Sequence, residues 1–224
     1  MLVLEGIDEL GPELILDLPV SVCYLKPDGS SLTLAGQDQL TYQVLGRQLS
    51  LSPESFFQVN LGVAEKLVEY VLARLPQAPA LNTLELYAGA GLFSLFLAER
   101  SHELIAIESS PSACYDFANN LDAYDNVRLY EGPVEEVLPA LIDELPSLDL
   151  VLLDPPRAGL HPKARESLEK LNSRQIIYVS CDPSTLARDL KHLCEAGYQL
   201  TDVHLFDMFP QTYHMETVAI LQRG

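Results

Sequence analysis

Apolar positions follow two rhythms in this chain, and the rhythm changes near residue 53. Upstream, short runs alternate roughly every second residue: Leu14 to Leu18, Val20 to Tyr24, Ser31 to Leu34 and Thr41 to Leu45. Turn formers separate them at Gly11-Pro12, Pro27-Asp28-Gly29 and Gly36, so the pattern predicts strands joined by tight connections. Residues 1–52 therefore read as a small β-rich subdomain, short of the length that buries its own apolar face. Downstream, residues 53–224 read as a second domain. A helix is predicted from Leu61 to Leu75, and from residue 82 strands and helices alternate. Predicted strands are Thr83 to Tyr87, Leu104 to Ile107, Val127 to Tyr130, Asp149 to Leu153, Ile176 to Val179, Gln199 to Phe206 and Thr217 to Leu221. Predicted helices are Leu92 to Arg100, Ser112 to Ala123, Val134 to Asp143 and Ser184 to Glu195. Alternation with continuously apolar strands implies an α/β fold, a parallel-type sheet covered by helices on both faces.

The chemistry-bearing residues gather where predicted strands end. Ala88-Gly89-Ala90-Gly91 follows the first strand of the alternating part. Glycines there let the backbone turn tightly and approach a ligand, and Glu108, at the tip of the next strand, can accept both hydroxyls of a ribose. A dinucleotide fingerprint would place a third glycine where Ser94 stands. Asp154-Pro155-Pro156-Arg157 follows another strand; its prolines end the ladder and leave a carboxylate at the sheet edge. The run Ile176-Ile177-Tyr178-Val179 stops at Ser180-Cys181, with Asp182 at an N-cap position, Pro183 at the first helical position and Gly197 past the helix end. Cys181 thus sits before a helix N-terminus, which biases a thiol towards thiolate; a small buried hydrophobe is the competing reading. Near the end of the chain, Glu216 abuts an apolar strand, where desolvation raises a carboxylate towards the range useful for a base, and His214 is a rival for proton transfer. Phe56 and Phe57, flanked by Gln58 and Asn60, form either a packing hinge or a stacking edge for a flat ligand.

Charge narrows the partners. The chain carries a formal −18 over 224 residues, which argues against a polyanion as a general partner. The segment 157–191 departs from that: seven basic residues against four acids give it +3. A basic patch beside Cys181 or an ordinary solvated helix surface both fit. Hydrophobic residues make up 48%, enough for a substantial core, and no apolar run approaches a membrane span. The four cysteines, Cys23, Cys114, Cys181 and Cys194, contain no C-x-x-C pair, so neither a metal site nor an iron–sulfur cluster is expected in this chain, and a reducing cytoplasmic location fits.

Together these segments resemble the family of S-adenosylmethionine-dependent RNA (uracil-C5)-methyltransferases, which form 5-methyluridine in transfer and ribosomal RNA. The resemblance is carried, in family order, by Ser55-Phe56-Phe57-Gln58-Val59-Asn60, Leu86 to Gly91, Ile107-Glu108, Asp154 to Leu160, Val179 to Asp189, and Asp207 to Thr212 with Glu216. It implies a Rossmann-like class I methyltransferase sheet. It also implies Cys181 as nucleophile at carbon 6 of uracil and Glu216 as the base at carbon 5. Gln58, Tyr87, Gly89, Gly91, Glu108 and Asp154 would contact the methyl donor S-adenosyl-L-methionine. Asp154 would also face the uracil, with Phe56, Gln58 and Arg157 on the substrate side. The partner implied is tRNA or rRNA. The chain looks like the C-terminal part of such an enzyme, so tight RNA binding is expected to need an N-terminal RNA-binding domain. A catalytically silent fragment and a cytosine-C5 enzyme are the alternatives. Leu92 stands where some members carry a polar residue, and Glu131-Gly132-Pro133 is the nearest candidate for an adenine contact.

Overall fold

The leucine- and β-branched-rich runs downstream of residue 80 assemble into one seven-stranded sheet. The computed structural model describes residues 1–6, 11–12, 14–17, 19–28, 30–55, 60–208, 210–212 and 215–224. The strands are β1 (Leu2–Glu5), β2 (Val22–Leu25), β3 (Ser31–Ala35), β4 (Leu40–Val44), β5 (Arg47–Leu51), β6 (Leu81–Leu86), β7 (Ser101–Glu108), β8 (Val127–Glu131), β9 (Leu150–Leu153), β10 (Gln175–Ser180), β11 (Tyr198–Phe206) and β12 (Glu216–Arg223). The helices are α1 (Leu61–Leu72), α2 (Ser94–Leu97), α3 (Pro111–Asn120), α4 (Val134–Leu141), α5 (Pro162–Lys170) and α6 (Pro183–Glu195).

The large sheet has the order β11-β12-β10-β9-β6-β7-β8. Its pairs are parallel from β10 through β8, and β12 runs antiparallel to both of its neighbours. The chain enters at β6 in the middle, builds outward through β7 and β8, then returns to β9 on the other side. A crevice opens at such a reversal, at the carboxyl ends of the strands. The two faces carry separate cores. One packs α1, α2 and α3 through Leu67, Val71, Leu97 and Phe117. The other packs α4, α5 and α6 through Leu138, Leu168, Leu186 and Leu193. Both faces of β9 and β10 are buried, which is why β9 and the stretch of β10 from Ile176 to Val179 are apolar at successive positions rather than at every second one.

The N-terminal strands form two separate pieces: a three-stranded sheet β1-β2-β3 and the hairpin β4-β5. The hairpin sends Val44, Leu49 and Leu51 into the same core as α1 and α3. It is pinned there by Asp116, which accepts from the Ser52 amide and hydroxyl at 2.8 and 2.6 Å, and by Asn120, which bonds both backbone groups of Ser50.

Three expectations change. The alternating run at Leu14 forms no strand over 14–17, and Ile15 is 97% exposed. β1 and β3 occupy both edges of β2, so the run finds no neighbour there. The helix expected from Leu92 is shorter, with α2 followed by a single 3-10 turn over Ala98–Arg100. Helix α5 was not foreseen. It buries only Ala164, Ser167 and Leu168, and its N-cap is His161 rather than one of the residues that usually mark a helix start.

Candidate active site

Antiparallel β12 begins at the edge where the parallel strands end. That single reversal brings Glu216, its first residue, to the side reached by Tyr87 after β6, Glu108 at the end of β7, Asp154 after β9 and Cys181 after β10. All five line one cavity of about 840 Å³, with Gly89 and Arg157. Phe56, Gln58 and the rival base His214 lie outside the described residues. Gly91 does not line the cavity. A Cβ there would come within 2.6 Å of Leu121 and 3.2 Å of Phe117, and its φ is +92°, so it serves the turn and the packing on α3. Gly89 is different: φ is +56° and a Cβ would meet nothing within 4 Å, since the residue faces the open cavity.

The glycine loop and the strand tip beside it fix one carboxylate. Glu108 accepts from the backbone amides of Gly89 at 2.8 Å and of Ser109 and Ser110 at 2.7 Å each. Its orientation is therefore set without any side-chain partner. Pro133, Val134 and Ala113 add an apolar wall. Pro133 lies in the segment expected to meet an adenine.

The cavity is acidic. Glu54, Glu108, Glu135, Asp154 and Glu216 line it, against one guanidinium, Arg157. Close-set carboxylates in a cleft favour a cationic ligand and disfavour phosphate. The positive segment seen in the sequence is mostly spent on ion pairs. Arg165 and Arg188 meet Asp189, Lys191 meets Glu195, and Arg174 meets Asp149 at the amino end of β10, across the sheet from Cys181.

Burial raises the thiol and both carboxylates, and the charge of Glu216 adds to the rise at Asp154 and at Cys181. Burial, then the charge of Glu216, pushes Asp154 up to about 7. Burial raises Glu216, opposed by Arg157. Burial, then Glu216 and Asp154, raises the Cys181 thiol above its ordinary value, with Arg157 opposing. This reverses the thiolate bias expected from the helix N-terminus. Burial outweighs the helix end, and that end is itself capped: the Asp182 carboxylate accepts from the Ser184 and Thr185 amides at 2.9 and 3.0 Å, setting a negative charge at the start of α6. Ser180 braces the turn carrying Cys181, donating to the Asp182 carbonyl and accepting from the Asp182 amide.

One carboxyl group escaped the sequence reading. Glu85 in β6 is 1% exposed and accepts from the Ser94 hydroxyl at 2.5 Å, behind the glycine loop. Burial pushes it up to about 8; the Ser94 bond opposes this, and Asp154 and Glu108 add to it. The signal available in sequence was a lone acid in an apolar strand. The folded chain holds a proton here that the unfolded chain loses near 4.5, so stability falls as pH rises from about 4.5 to about 8, with Asp154 contributing in the same direction up to about 7. Glu85→Gln, which keeps an acceptor for Ser94, is expected to flatten the fall in melting temperature between about pH 5 and about pH 8. Melting curves at several pH values check this, and an unchanged slope places the proton elsewhere.

Comparison with known proteins gives a consistent pattern. A family model described as tRNA (Uracil-5-)-methyltransferase matches residues 36–224. An uncharacterized RNA methyltransferase of Streptomyces avermitilis is 39% identical over 215 residues, covering 94% of this chain and 49% of the relative. A 23S rRNA (uracil(1939)-C(5))-methyltransferase, RlmD, of Vibrio campbellii is 35% identical over 90% of this chain and 46% of its own length. The chain thus spans about half the length of the curated relatives it matches. Among solved structures, a Pyrococcus abyssi tRNA (uracil-54, C5)-methyltransferase in complex with S-adenosyl-L-homocysteine superposes with a TM-score of 0.79 at 27% identity, covering 98% of this chain and 56% of that one. M. jannaschii TYW2 in complex with AdoMet is similar in fold alone, at 17% identity and a TM-score of 0.59 over 91% of this chain and 94% of that one.

Proposed function

The chain belongs to the tRNA (uracil-5-)-methyltransferase family, and we propose that its cavity transfers a methyl group from S-adenosylmethionine to carbon 5 of a uridine in RNA. The observation that carries this is the convergence of Cys181, Asp154 and Glu216 on the cavity that Glu108 and the glycine loop also line. The residues present fit the methyl donor. Glu108 offers a preset acceptor for a ribose, the wall at Pro133 and Val134 suits an adenine, and the surplus of carboxylates suits a ligand with an ammonium and a sulfonium. Tyr87, Gly89 and Asp154 complete that side, with Gln58 assigned to it by family likeness. Gly91 acts there only through the turn.

When bound, the donor supplies an electrophilic methyl group on sulfur. The chain's own groups act on the uracil. Carbon 5 is a poor nucleophile until carbon 6 is attacked. Cys181 loses its proton and forms a sulfur–carbon bond at carbon 6, and the electron pair of the ring double bond moves towards carbon 5 and the adjoining carbonyl. Carbon 5 then takes the methyl group. Glu216 removes the carbon-5 proton, the double bond re-forms, and the sulfur–carbon bond breaks to return Cys181. Asp154, near neutrality in its protonation, faces the ring edge. Arg157, exposed at the mouth, meets the substrate strand, and Phe56 is assigned to the space left by a uracil turned out of its stack.

The test is transfer of labelled methyl from S-adenosylmethionine to unmodified ribosomal and transfer RNA, followed by digestion to nucleosides. Label in 5-methyluridine is expected. Label in 5-methylcytidine overturns the base assignment, and label nowhere favours a silent fragment.

A further inference from the structure

Helix α6 carries more than the turn after Cys181. Three of its side chains, at positions 185, 188 and 189, reach across to the loop that follows Asp154. The Thr185 hydroxyl donates to the Arg157 carbonyl at 3.0 Å, while lying 3.2 Å from the Asp182 carbonyl in its own turn. The Arg188 guanidinium donates to the Ala158 carbonyl at 3.0 Å. Asp189, fully buried, accepts from the Leu160 amide at 2.8 Å and from the Tyr178 hydroxyl in β10 at 2.8 Å. Arg188 lies 2.9 Å from the Asp189 carboxylate and Arg165 of α5 lies 4.0 Å from it, so the buried charge is matched. The approach is close because residue 159 lacks a side chain. A Cβ on Gly159 would come within 2.5 Å of Asp189 and 2.6 Å of Arg188, at a φ of +73°.

These bonds satisfy three backbone groups of an irregular loop, and they all come from one rigid element. The same element begins two residues after the thiol. The loop begins at the carboxylate and carries the cavity's guanidinium. Resting on the uracil chemistry proposed above, we propose that Thr185, Arg188 and Asp189 are positioning residues: they clasp the 157–160 loop to α6 and so fix the spacing between Cys181 on one strand and Asp154 and Arg157 on the next. Covalent addition needs the reacting atoms held close and aligned, and a displacement of about 1 Å can cost about 10²-fold in rate. Of the cofactor side, Tyr87, Gly89 and Glu108 stand on β6, β7 and the glycine loop, away from these contacts, and only Asp154 is shared with the clasped loop.

Thr185→Val removes one donor with little change in shape, and Arg188→Lys keeps a positive charge beside Asp189 while withdrawing the planar fork that reaches the Ala158 carbonyl. The double variant is expected to lose about 10- to 100-fold in kcat for RNA methylation. Its affinity for S-adenosylhomocysteine and its melting temperature should match those of the parent, and Thr185→Ser alone should retain parental kcat. Parental kcat in the double variant overturns the clasp. So does a loss of kcat that tracks a loss of S-adenosylhomocysteine binding and of melting temperature, because that pattern belongs to general folding. Cys181→Ala is assayed alongside: parental turnover there overturns the uracil reading itself, whereas an inactive Cys181→Ala beside a fully active double variant overturns the clasp alone.

Discussion

Cys181→Ala is expected to lose methyl transfer to RNA by roughly 10⁴-fold or more while still binding S-adenosylhomocysteine with parental affinity. Most of the cofactor side stands on β6, β7 and the segment at Pro133, and its remaining member, Asp154, follows β9, so none of it is carried by the strand that ends at Cys181. The substitution therefore separates binding from chemistry. It also leaves little stability at risk, since Cys181 is only half-buried and follows the last strand residue. The pH dependence of the parent gives a second reading of the same group. Burial, then the charges of Glu216 and Asp154, hold the thiol protonated at rest, so adduct formation should keep rising with pH above neutrality. A thiolate preset by a helix end would give a plateau instead. Single-turnover rates with labelled donor, together with calorimetric titration of S-adenosylhomocysteine, check both expectations. Transfer by Cys181→Ala within tenfold of the parent would remove the sulfur from the reaction.

How much of this was legible beforehand depended on how local the signal was. The Asp182 cap, the proline after it and Gly197, whose φ is +99°, are written into adjacent residues, and the helix between them stands where the pattern put it. The glycine loop and Glu108 were readable for the same reason. What failed was whatever needed a neighbour. An alternating run such as 14–17 cannot announce whether a strand edge is available, and α5 has too few apolar positions to show a period. The thiol illustrates the limit within the site. Its position before a helix was correct, and the sign of its shift was not, because the fold buries the thiol and brings up Glu216 from a strand 35 residues further on. Asp189 looked like one more acid on a basic helix; only the fold shows it receiving Leu160 and Tyr178.

Glu216→Gln is expected to stop the reaction after methyl transfer rather than before it. Glutamine keeps the volume and the burial of a side chain that is 5% exposed, and it removes the only group on β12 that faces the thiol's cavity. A buried carboxylate raised above its ordinary value, with Arg157 holding back the rise, is both charged enough to accept a proton and basic enough to keep it for a moment. Without it, carbon 5 keeps its proton, the ring double bond cannot re-form, and the sulfur stays bonded to carbon 6. Turnover should fall by about 10²–10⁴-fold. A protein–RNA band should persist on a denaturing gel, and it should carry the methyl label, because the methyl group arrives before the proton leaves. Adding Cys181→Ala to the same variant should erase the band, since no sulfur–carbon bond can form. Slow turnover by Glu216→Gln with no such band would mean that another group takes the proton, Asp154 being the other carboxyl of this cavity that burial and Glu216 raise.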